Sequence, residues 1–379
     1  MALYIGLMSG TSLDGVDGVL ADFDDHDEST QSTLAHRHLP MPTALRDELL
    51  NLNQPGANEL HRSALAANAM AGLYSDCVRT LLVTAGVGAA QVRAIGAHGQ
   101  TVRHRPHEFD GTGYTLQLLN GAALAACTAI DTVCDFRSAD LVAGGQGAPL
   151  APAFHAARFA RSDQTVLVLN IGGMANLSVL RGASEVIGFD CGPGNALMDL
   201  WCQQHRGAPF DRDGAWAATG QVLPSLLQAM LAEPYFARSP PKSTGRDHFH
   251  AVWLSAHLAA NAAHQVAPSA AVDVMATLTE LTAQTACAAA QRHGAGAHAL
   301  LVCGGGAHNS ILMRRLAELL PGVMVSSTAT RGAPPDQIEA LAFAWLARAH
   351  VLRRAGNLPA VTGADRPRIL GAMYPATPP

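Results

Sequence analysis

A short apolar strand that runs into a turn of glycine and small polar residues, and then into a second apolar run, occurs twice in this chain. The first copy is Leu3-Tyr4-Ile5-Gly6-Leu7-Met8-Ser9-Gly10-Thr11-Ser12-Leu13-Asp14-Gly15-Val16-Asp17, and the second is Val166-Leu167-Val168-Leu169-Asn170-Ile171-Gly172-Gly173-Met174-Ala175-Asn176-Leu177. Such a turn lets several backbone N–H groups converge on an anion, because no bulky Cβ stands in the way. One turn in each half implies two related lobes gripping a polyphosphate between them. The two copies match in pattern rather than residue by residue, as an old duplication would.

The rest of the sequence narrows the partners. A chain of 379 residues makes two domains or one large one, and 49% hydrophobic against 15% charged residues describes a compact protein with a sizeable core. A net charge of −5 leaves no electrostatic footprint for nucleic acid or for an anionic membrane surface. The N-terminus lacks the basic start and apolar core of a signal peptide, and no apolar run is long enough to span a bilayer, so the cytoplasm is the expected location. The seven cysteines are scattered, odd in number and never spaced C-x-x-C, which favours buried free thiols over a zinc site or a disulfide framework. Lys242 is the only lysine, and the run G-x-x-x-x-G-K-[ST] is absent, which excludes a P-loop enzyme.

Alternation predicts strands at 3–8, 16–23 and 33–40, with an acidic turn from Asp24 to Asp27. A long helix over 60–85 follows, then strands at 92–97, 114–118 and 129–136, and the glycine-rich loop Gly144 to Ala148 opening a helix near Pro149. The pattern restarts at 165–171, 175–180 and 186–190, followed by helices over most of 193–320, a strand at 300–303 and a helix from Pro334 to about Arg354. Strands first and helices after, twice over, predict two α/β lobes: 1–160 with 355–379, and 161–354.

Several residues at the turns carry chemistry. The first turn, from Gly10, Thr11 and Ser12 through Leu13, Asp14, Gly15 and Val16 to Asp17, offers N–H groups and the hydroxyls of Ser9, Thr11 and Ser12 to β- and γ-phosphates. Gly172, Gly173 and Asn176 do the same in the second. Asp14 and Asp17 are the nearest carboxylates for a phosphate-bound Mg²⁺, although Asp14 serves equally well as an Asx cap. Gly304-Gly305-Gly306, between a strand and a helix, either lets a nucleoside lie against bare backbone or forms a tight packing turn. Asp190 ends an apolar strand beside Gly192-Pro193-Gly194, a placement that suits a general base and also a helix N-cap. Glu339 either helps hold a water or is an ordinary acid at a helix start. The fork of Arg137 suits a carboxylate or a phosphate. His248-x-His250 lacks a third ligand at metal spacing and reads as a solvated pair, and Lys242-Ser243-Thr244-Gly245-Arg246 reads as an exposed loop that closes over ligands.

Gly6-Leu7-Met8-Ser9-Gly10-Thr11-Ser12-Leu13-Asp14-Gly15 resembles the N-terminal signature of the anhydro-N-acetylmuramic acid kinases, members of the sugar kinase, actin and Hsp70 superfamily. Further blocks match in order over nearly the whole chain: Ala97-His98-Gly99-Gln100-Thr101, Gly144 to Leu150, Gly188 to Asn195, Pro241 to Arg246, and Val302 to Asn309. The resemblance implies two ribonuclease H-like (actin-like ATPase) lobes with an interlobe cleft, ATP and Mg²⁺ as cofactors, and a homodimer. It also implies the catalytic base at Asp190, an adenosine motif at Gly304 to Gly306, and sugar contacts at His98, Gln100, Arg137, Gly147 and Asp190. Ser138 and Ala139 stand where the family carries more basic residues. The implied reaction is phosphorylation of O6 of 1,6-anhydro-N-acetylmuramic acid while water opens the anhydro bridge at C1. Its rivals are an ordinary sugar hydroxyl kinase and a non-catalytic nucleotide switch of the same fold.

Overall fold

A strand with apolar residues on both faces must lie inside a sheet covered on both sides. Tyr4, Ile5, Gly6 and Leu7 are all buried in β1 (Ala2–Met8), and β2 (Gly15–Phe23) is buried over most of its length. The computed structural model describes residues 2–10, 12–24, 31–182, 185–245, 248–262 and 270–376. Thr11, Arg246 and positions 25–27 of the predicted acidic turn lie outside the described residues. The chain groups into two units, Met1–Arg158 with Gln337–Pro379, and Phe159–Asp336.

In the first unit β1 and β2 form an antiparallel meander with β3 (Gln31–Pro40), an edge strand whose polar residues face outward. β4 (Val92–Ala97) runs parallel to β1, while β5 (Gln100–Pro106) and β6 (Gly113–Leu118) make a separate hairpin. β7 (Thr132–Cys134) runs parallel to β4. It is shorter than the predicted strand because Ala129 and Asp135 take left-handed backbone at φ 56° and 55°, which ends extended structure on both sides. In the second unit β8 (Thr165–Ile171), β9 (Met174–Arg181) and β10 (Glu185–Pro193) repeat the meander. β11 (Ala297–Cys303) is parallel to β8, and β12 (Met324–Ser327) is parallel to β11. The last strand, β13 (Ala372–Tyr374), returns to the first sheet and pairs with β7. The orders β3-β2-β1-β4-β7 and β10-β9-β8-β11-β12 are the same ribonuclease H-like arrangement, once per unit.

Alternation along β1 sends Ile5 and Leu7 to one face, where Met70, Tyr74, Cys77, Val78 and Leu81 of the helix Glu59–Ala85 pack. Gly6 and Gly96 lie on the other face. A Cβ at Gly6 would collide with the carbonyl oxygen of Ala340, and one at Gly96 with that of Phe343. Both strands therefore leave room for the backbone of the helix Ile338–Val351 to lie directly on the sheet. This helix was expected in the second lobe, up to residue 354; it packs on β1 and β4 and belongs to the first unit. Leu341, Ala344 and Leu346 are buried there, and a fully buried leucine contributes about 1.5–3 kcal/mol. The core of the second unit joins Leu167, Leu169, Leu177, Leu300 and Val302 to Ala283, Ala286 and Cys287 of the helix Ala271–His293. All seven cysteines are free thiols, and six of them are buried. No helix among the described residues is long and apolar enough to cross a membrane.

Candidate functional site

β1, β4 and β7 run the same way, so the turns after Met8, Ala97 and Cys134 share one sheet edge, where open α/β sheets bind ligands. Ser9 is 1% exposed, and its hydroxyl donates to the Gly99 carbonyl at 3.1 Å and lies 2.9 Å from the Tyr74 hydroxyl. That hydroxyl fastens the turn to the fold and is not available to phosphate, in contrast to the expectation for Ser9. Leu13 takes left-handed backbone at φ 55° with its side chain in the core, and Val16 is likewise buried in β2. What these two can offer a ligand is backbone. Ser12 donates to Asp14 Oδ1 at 2.7 Å, and both side chains are exposed. Asp17 is instead engaged by His38 at 3.1 Å and His36 at 3.4 Å. At Gly10 a Cβ would meet nothing nearer than 3.6 Å, so the protein's own packing does not require glycine there.

Beside this turn stands a polar wall. Gln100 is 1% exposed and donates to the Gly10 carbonyl at 3.1 Å, while its Oε1 is buried with no partner among the described residues. A buried acceptor left unmatched is costly, and one in a turn region awaits a donor. Arg137 donates to His98 Nε2 through Nε at 3.2 Å and Nη2 at 2.9 Å, and through Nη1 to the Gly147 carbonyl at 2.6 Å. The Nδ1 of His98 then faces the Ser9 carbonyl at 3.4 Å. Burial, and next the Arg137 charge, push the His98 pKa down to about 3, so the ring is neutral with its proton on Nδ1. Both ring nitrogens are spent inside the protein. His98 therefore orients Arg137 rather than offering a nitrogen to a sugar. Gly147 is similarly occupied, since its N–H donates to Asp140 Oδ2 at 2.7 Å. The other oxygen of buried Asp140 accepts from Asn357 at 2.6 Å and Thr362 at 2.7 Å, which pins the loop after the helix Ser138–Val142.

Burial lowers the Arg137 pKa to about 10 against the attraction of Glu339 and Asp140. Glu339, at the start of the helix Ile338–Val351, keeps solvent access but is crowded by protein. Desolvation, then Asp17, raises its pKa; Arg137 pulls it down, and Asp14 raises it slightly. The first unit thus gathers Asp14, Asp17, Glu339 and Arg137 into one electrostatic neighbourhood, a grouping that linear sequence did not display.

In the second unit β8, β10 and β11 end at the same edge. The carbonyls of Gly172 and Gly173 accept from Asn195, Gly194 and Ala196, so the second turn is locked to the segment after β10. Asn176 lies across from Asp190 in the ladder. Cβ atoms at Gly172 and Gly305 would meet nothing nearer than 3.8 and 3.4 Å, whereas Gly304, at φ +75°, is packed against Asn170 and Ile171. Gly306 is packed against Ile171 in the same way. Gly304 and Gly306 are glycine for the fold; Gly172 and Gly305 have no such reason, as at Gly10.

Asp190 sits where a register shift breaks the β9–β10 ladder. Its Oδ2 accepts the Thr244 N–H at 3.0 Å, and its backbone oxygen accepts the Tyr235 hydroxyl at 2.8 Å. Among the described residues no hydrogen bond is made to Oδ1. Burial raises its pKa to about 6, against the Thr244 N–H and the Lys242 charge, which lower it. The carboxylate is fixed by one oxygen and basic at neutral pH. Sequence reasoning named Thr244 only as part of a loop and did not name Tyr235, because a backbone donor and a hydroxyl aimed at a carbonyl leave no residue pattern. It also placed Lys242 in an exposed loop. The side chain is 8% exposed, turned inward onto carbonyl groups.

Among the described residues no group of three or more His, Cys, Asp or Glu side chains is arranged to hold a metal ion. Of the histidine pair, His248 meets Glu233 at 3.3 Å, and His250 accepts from the Trp253 N–H at 3.2 Å.

The model of the family described as anhydro-N-acetylmuramic acid kinase matches residues 2–376. The chain is 59% identical over 379 residues to the anhydro-N-acetylmuramic acid kinase of Variovorax paradoxus (strain S110), with 99% of each chain covered. It is 57% identical over 394 residues to that of Albidiferax ferrireducens (strain ATCC BAA-621 / DSM 15236 / T118), again with 99% of each covered. Among solved structures, the activator of the 2-hydroxyisocaproyl-CoA dehydratase from Clostridium difficile with bound ADPNP is similar over 93% of this chain and 96% of that one, at TM-score 0.46 and 12% identity.

Proposed function

The chain belongs to the anhydro-N-acetylmuramic acid kinase family and is an ATP-dependent carbohydrate kinase of cell-wall recycling, and on that premise we propose which of its residues do the chemistry. The reaction opens 1,6-anhydro-N-acetylmuramic acid with water and phosphorylates O6, giving N-acetylmuramic acid 6-phosphate. Asp190 is the general base: it takes a proton from the water that attacks C1. The bridge C1–O6 bond breaks as the water oxygen bonds to C1, and the freed O6 bonds to the γ-phosphorus of ATP as its bond to the bridging oxygen breaks and ADP leaves, so no separate acid is needed. The observation that carries this reading is the carboxylate itself, held by the Thr244 N–H at 3.0 Å, with its pKa raised to about 6 by burial. A base titrating near the working pH is the most effective one.

Gly10, Thr11, Ser12, Leu13, Asp14, Gly15, Val16 and Asp17, together with Gly172, Gly173 and Asn176, are assigned to the phosphates, and Gly304, Gly305 and Gly306 to the nucleoside. The support is the open space at Gly10, Gly172 and Gly305, which packing does not explain. Bound Mg²⁺ neutralises phosphate charge. It needs only one or two carboxylates besides water and phosphate, and exposed Asp14 fits that requirement where Asp17, taken up by two histidines, does not. Arg137, pre-aimed by His98 and by the Gly147 carbonyl, is assigned to the lactyl carboxylate, and the unmatched Oε1 of Gln100 to a hydroxyl or water. Glu339, beside Arg137, is assigned to hydrogen bonding at the sugar and its water. A homodimer, which the family resemblance implies, and a cytoplasmic location belong to the same proposal.

The test compares ATP consumption with the anhydro sugar, with plain N-acetylmuramic acid and with glucose, in the wild type and in Asp190→Asn. Turnover on the anhydro sugar alone, lost in the variant, is the expected result. Equal turnover on glucose would overturn the reading.

A further inference from the structure

Lys242, the only lysine in the chain, is 8% exposed, and it lies in a segment that holds Asp190 from outside the sheet. Its Nζ donates to the carbonyls of Tyr235 at 3.3 Å and Phe236 at 3.2 Å, in the helix Pro234–Ala237. The same ammonium stands 4.8 Å from the Tyr235 ring centroid and 5.8 Å from that of Phe189, distances at which a cation is attracted by a ring face. Its own carbonyl accepts the Asp190 N–H at 3.2 Å. Two residues on, Thr244 supplies the N–H that holds Asp190 Oδ2 at 3.0 Å, while Tyr235 donates to the Asp190 carbonyl at 2.8 Å.

An ammonium that, among the described residues, answers two carbonyls and no carboxylate is an expensive way to tie a short helix to a loop. Two neutral carbonyls do not by themselves require a charged donor, so the charge points to a further role. Lys242 is, among the described residues, the one charged group acting on Asp190. Its other neighbours do not compete: burial keeps Cys191 and Tyr235 protonated, and Arg238 and Arg292 bear on Tyr235 and Lys242 instead.

We propose that Lys242 is a positioning residue for Asp190, anchoring the segment that presents the Thr244 N–H and supplying the positive charge that keeps the carboxylate ionised at working pH. This rests on the reading of Asp190 as the base. Without the ammonium, burial acts on Asp190 with less opposition, and the base protonates at a higher pH.

The experiment is the pH profile of kcat/KM for the anhydro sugar in the wild type, Lys242→Gln and Lys242→Arg. Glutamine keeps a donor for the two carbonyls and drops the charge; arginine keeps the charge. The acid limb of the Gln variant is expected to move up by about half a unit to one unit, which lowers the rate below the limb by up to about tenfold, with KM for ATP unchanged. The Arg variant is expected to keep the wild-type limb. Should the Gln variant not fold, Lys242→Met carries the same expectation, because a buried charge replaced by methionine is often tolerated. A slower but unshifted Gln or Met variant makes Lys242 merely structural and overturns the proposal, as does an Arg variant shifted like Gln. Asp190→Asn separates the two failures. If that variant is fully active, the base reading falls and takes the proposal with it. If it is inactive while the charge-free variants are unshifted, only the role of Lys242 falls.

Discussion

Asp190 is asked to be both basic and, although half-buried, largely desolvated, and those demands oppose each other energetically. Its folded pKa of about 6 lies above the ordinary 3.8, so between these values the folded chain holds a proton that the unfolded chain has released. Stability contributed by this group is therefore greatest at low pH and falls as pH rises through that window, reaching a cost on the order of 1–3 kcal/mol at neutral pH. Asp190→Asn removes the charge and keeps an acceptor for Thr244. It should melt higher than the wild type at pH 7.5, lose that advantage towards pH 4, and turn over ~10²–10⁴ more slowly. Equal melting at pH 7.5 would show that the carboxylate is not desolvated. In the wild type, kcat/KM should fall below about pH 6. That limb cannot belong to His98, which burial and Arg137 hold neutral with a pKa of about 3. Replacing His98 by Phe retains the ring packed 4.8 Å from Phe343 but removes the acceptor for Arg137. Leaving a charged donor unmatched costs about 1–3 kcal/mol, so KM for the sugar should rise roughly 10- to 100-fold with KM for ATP and the acid limb unmoved. An unchanged sugar KM would remove Arg137 from sugar recognition.

The glycine turns divide by what each glycine is for, and substitution can separate the two reasons. Gly10 has space for a Cβ, whereas Gly304 combines left-handed backbone with contact against Asn170 and Ile171. Gly10→Val should keep a near-wild-type melting temperature and bind ATP at least about tenfold more weakly, because the obstruction appears only when phosphate approaches the backbone. Gly304→Val should lose stability whether or not ATP is present. Titration calorimetry showing unchanged ATP affinity in folded Gly10→Val would dissolve the phosphate role of the first turn. These strand–turn units were legible in sequence because two periodicities meet there: alternation up to the turn, and glycine within it. Other elements left weaker marks. The helix Thr43–Leu52 buries only Leu49 and Leu52 and has no side-chain cap, so nothing announces it. β5 is Gln-Thr-Val-Arg-His-Arg-Pro, a polar hairpin strand without alternation. β12 and β13 are short strands that take their register from long-range partners. The helix Ile338–Val351 is apolar on nearly every face, which states that it is buried but not against which sheet. Gly6 and Gly96 decide that, and in sequence they read only as glycines in strands. The same assignment moves Glu339 from the expected lobe 161–354 to the first unit, where the Arg137 charge acts on it.

At the scale of the molecule one topology is used twice with different equipment. The first unit holds an oriented guanidinium, a buried amide whose Oε1 has no partner among the described residues, and a carboxyl whose pKa is raised first by desolvation and then by Asp17. The second holds Asp190, a carboxylate fixed by the Thr244 N–H, raised in pKa by burial, and with no hydrogen bond to its other oxygen among the described residues. A kinase that only deprotonated a sugar hydroxyl would need the base and no water. Hydrolytic opening of the anhydro bridge needs the base to act on water, and then the oxygen that arrives at C1 comes from solvent. Run in heavy-oxygen water, the reaction should place label at C1 of the product and none at O6 or in the transferred phosphoryl group. Phosphoryl transfer depends mainly on positioning and charge neutralisation, and the acceptor it uses here is the O6 leaving group released as water attacks C1. ATP hydrolysis without sugar should accordingly be a small fraction of the sugar-dependent rate, and N-acetylmuramic acid, which has no C1–O6 bridge left to break and carries a protonated O6, should not restore it. Label at C1 with sugar-dependent ATP use supports Asp190 as a water-activating base. Product without label would make Asp190 the base of an ordinary hydroxyl kinase, and label in the phosphoryl group would mean that water attacks phosphorus instead of C1.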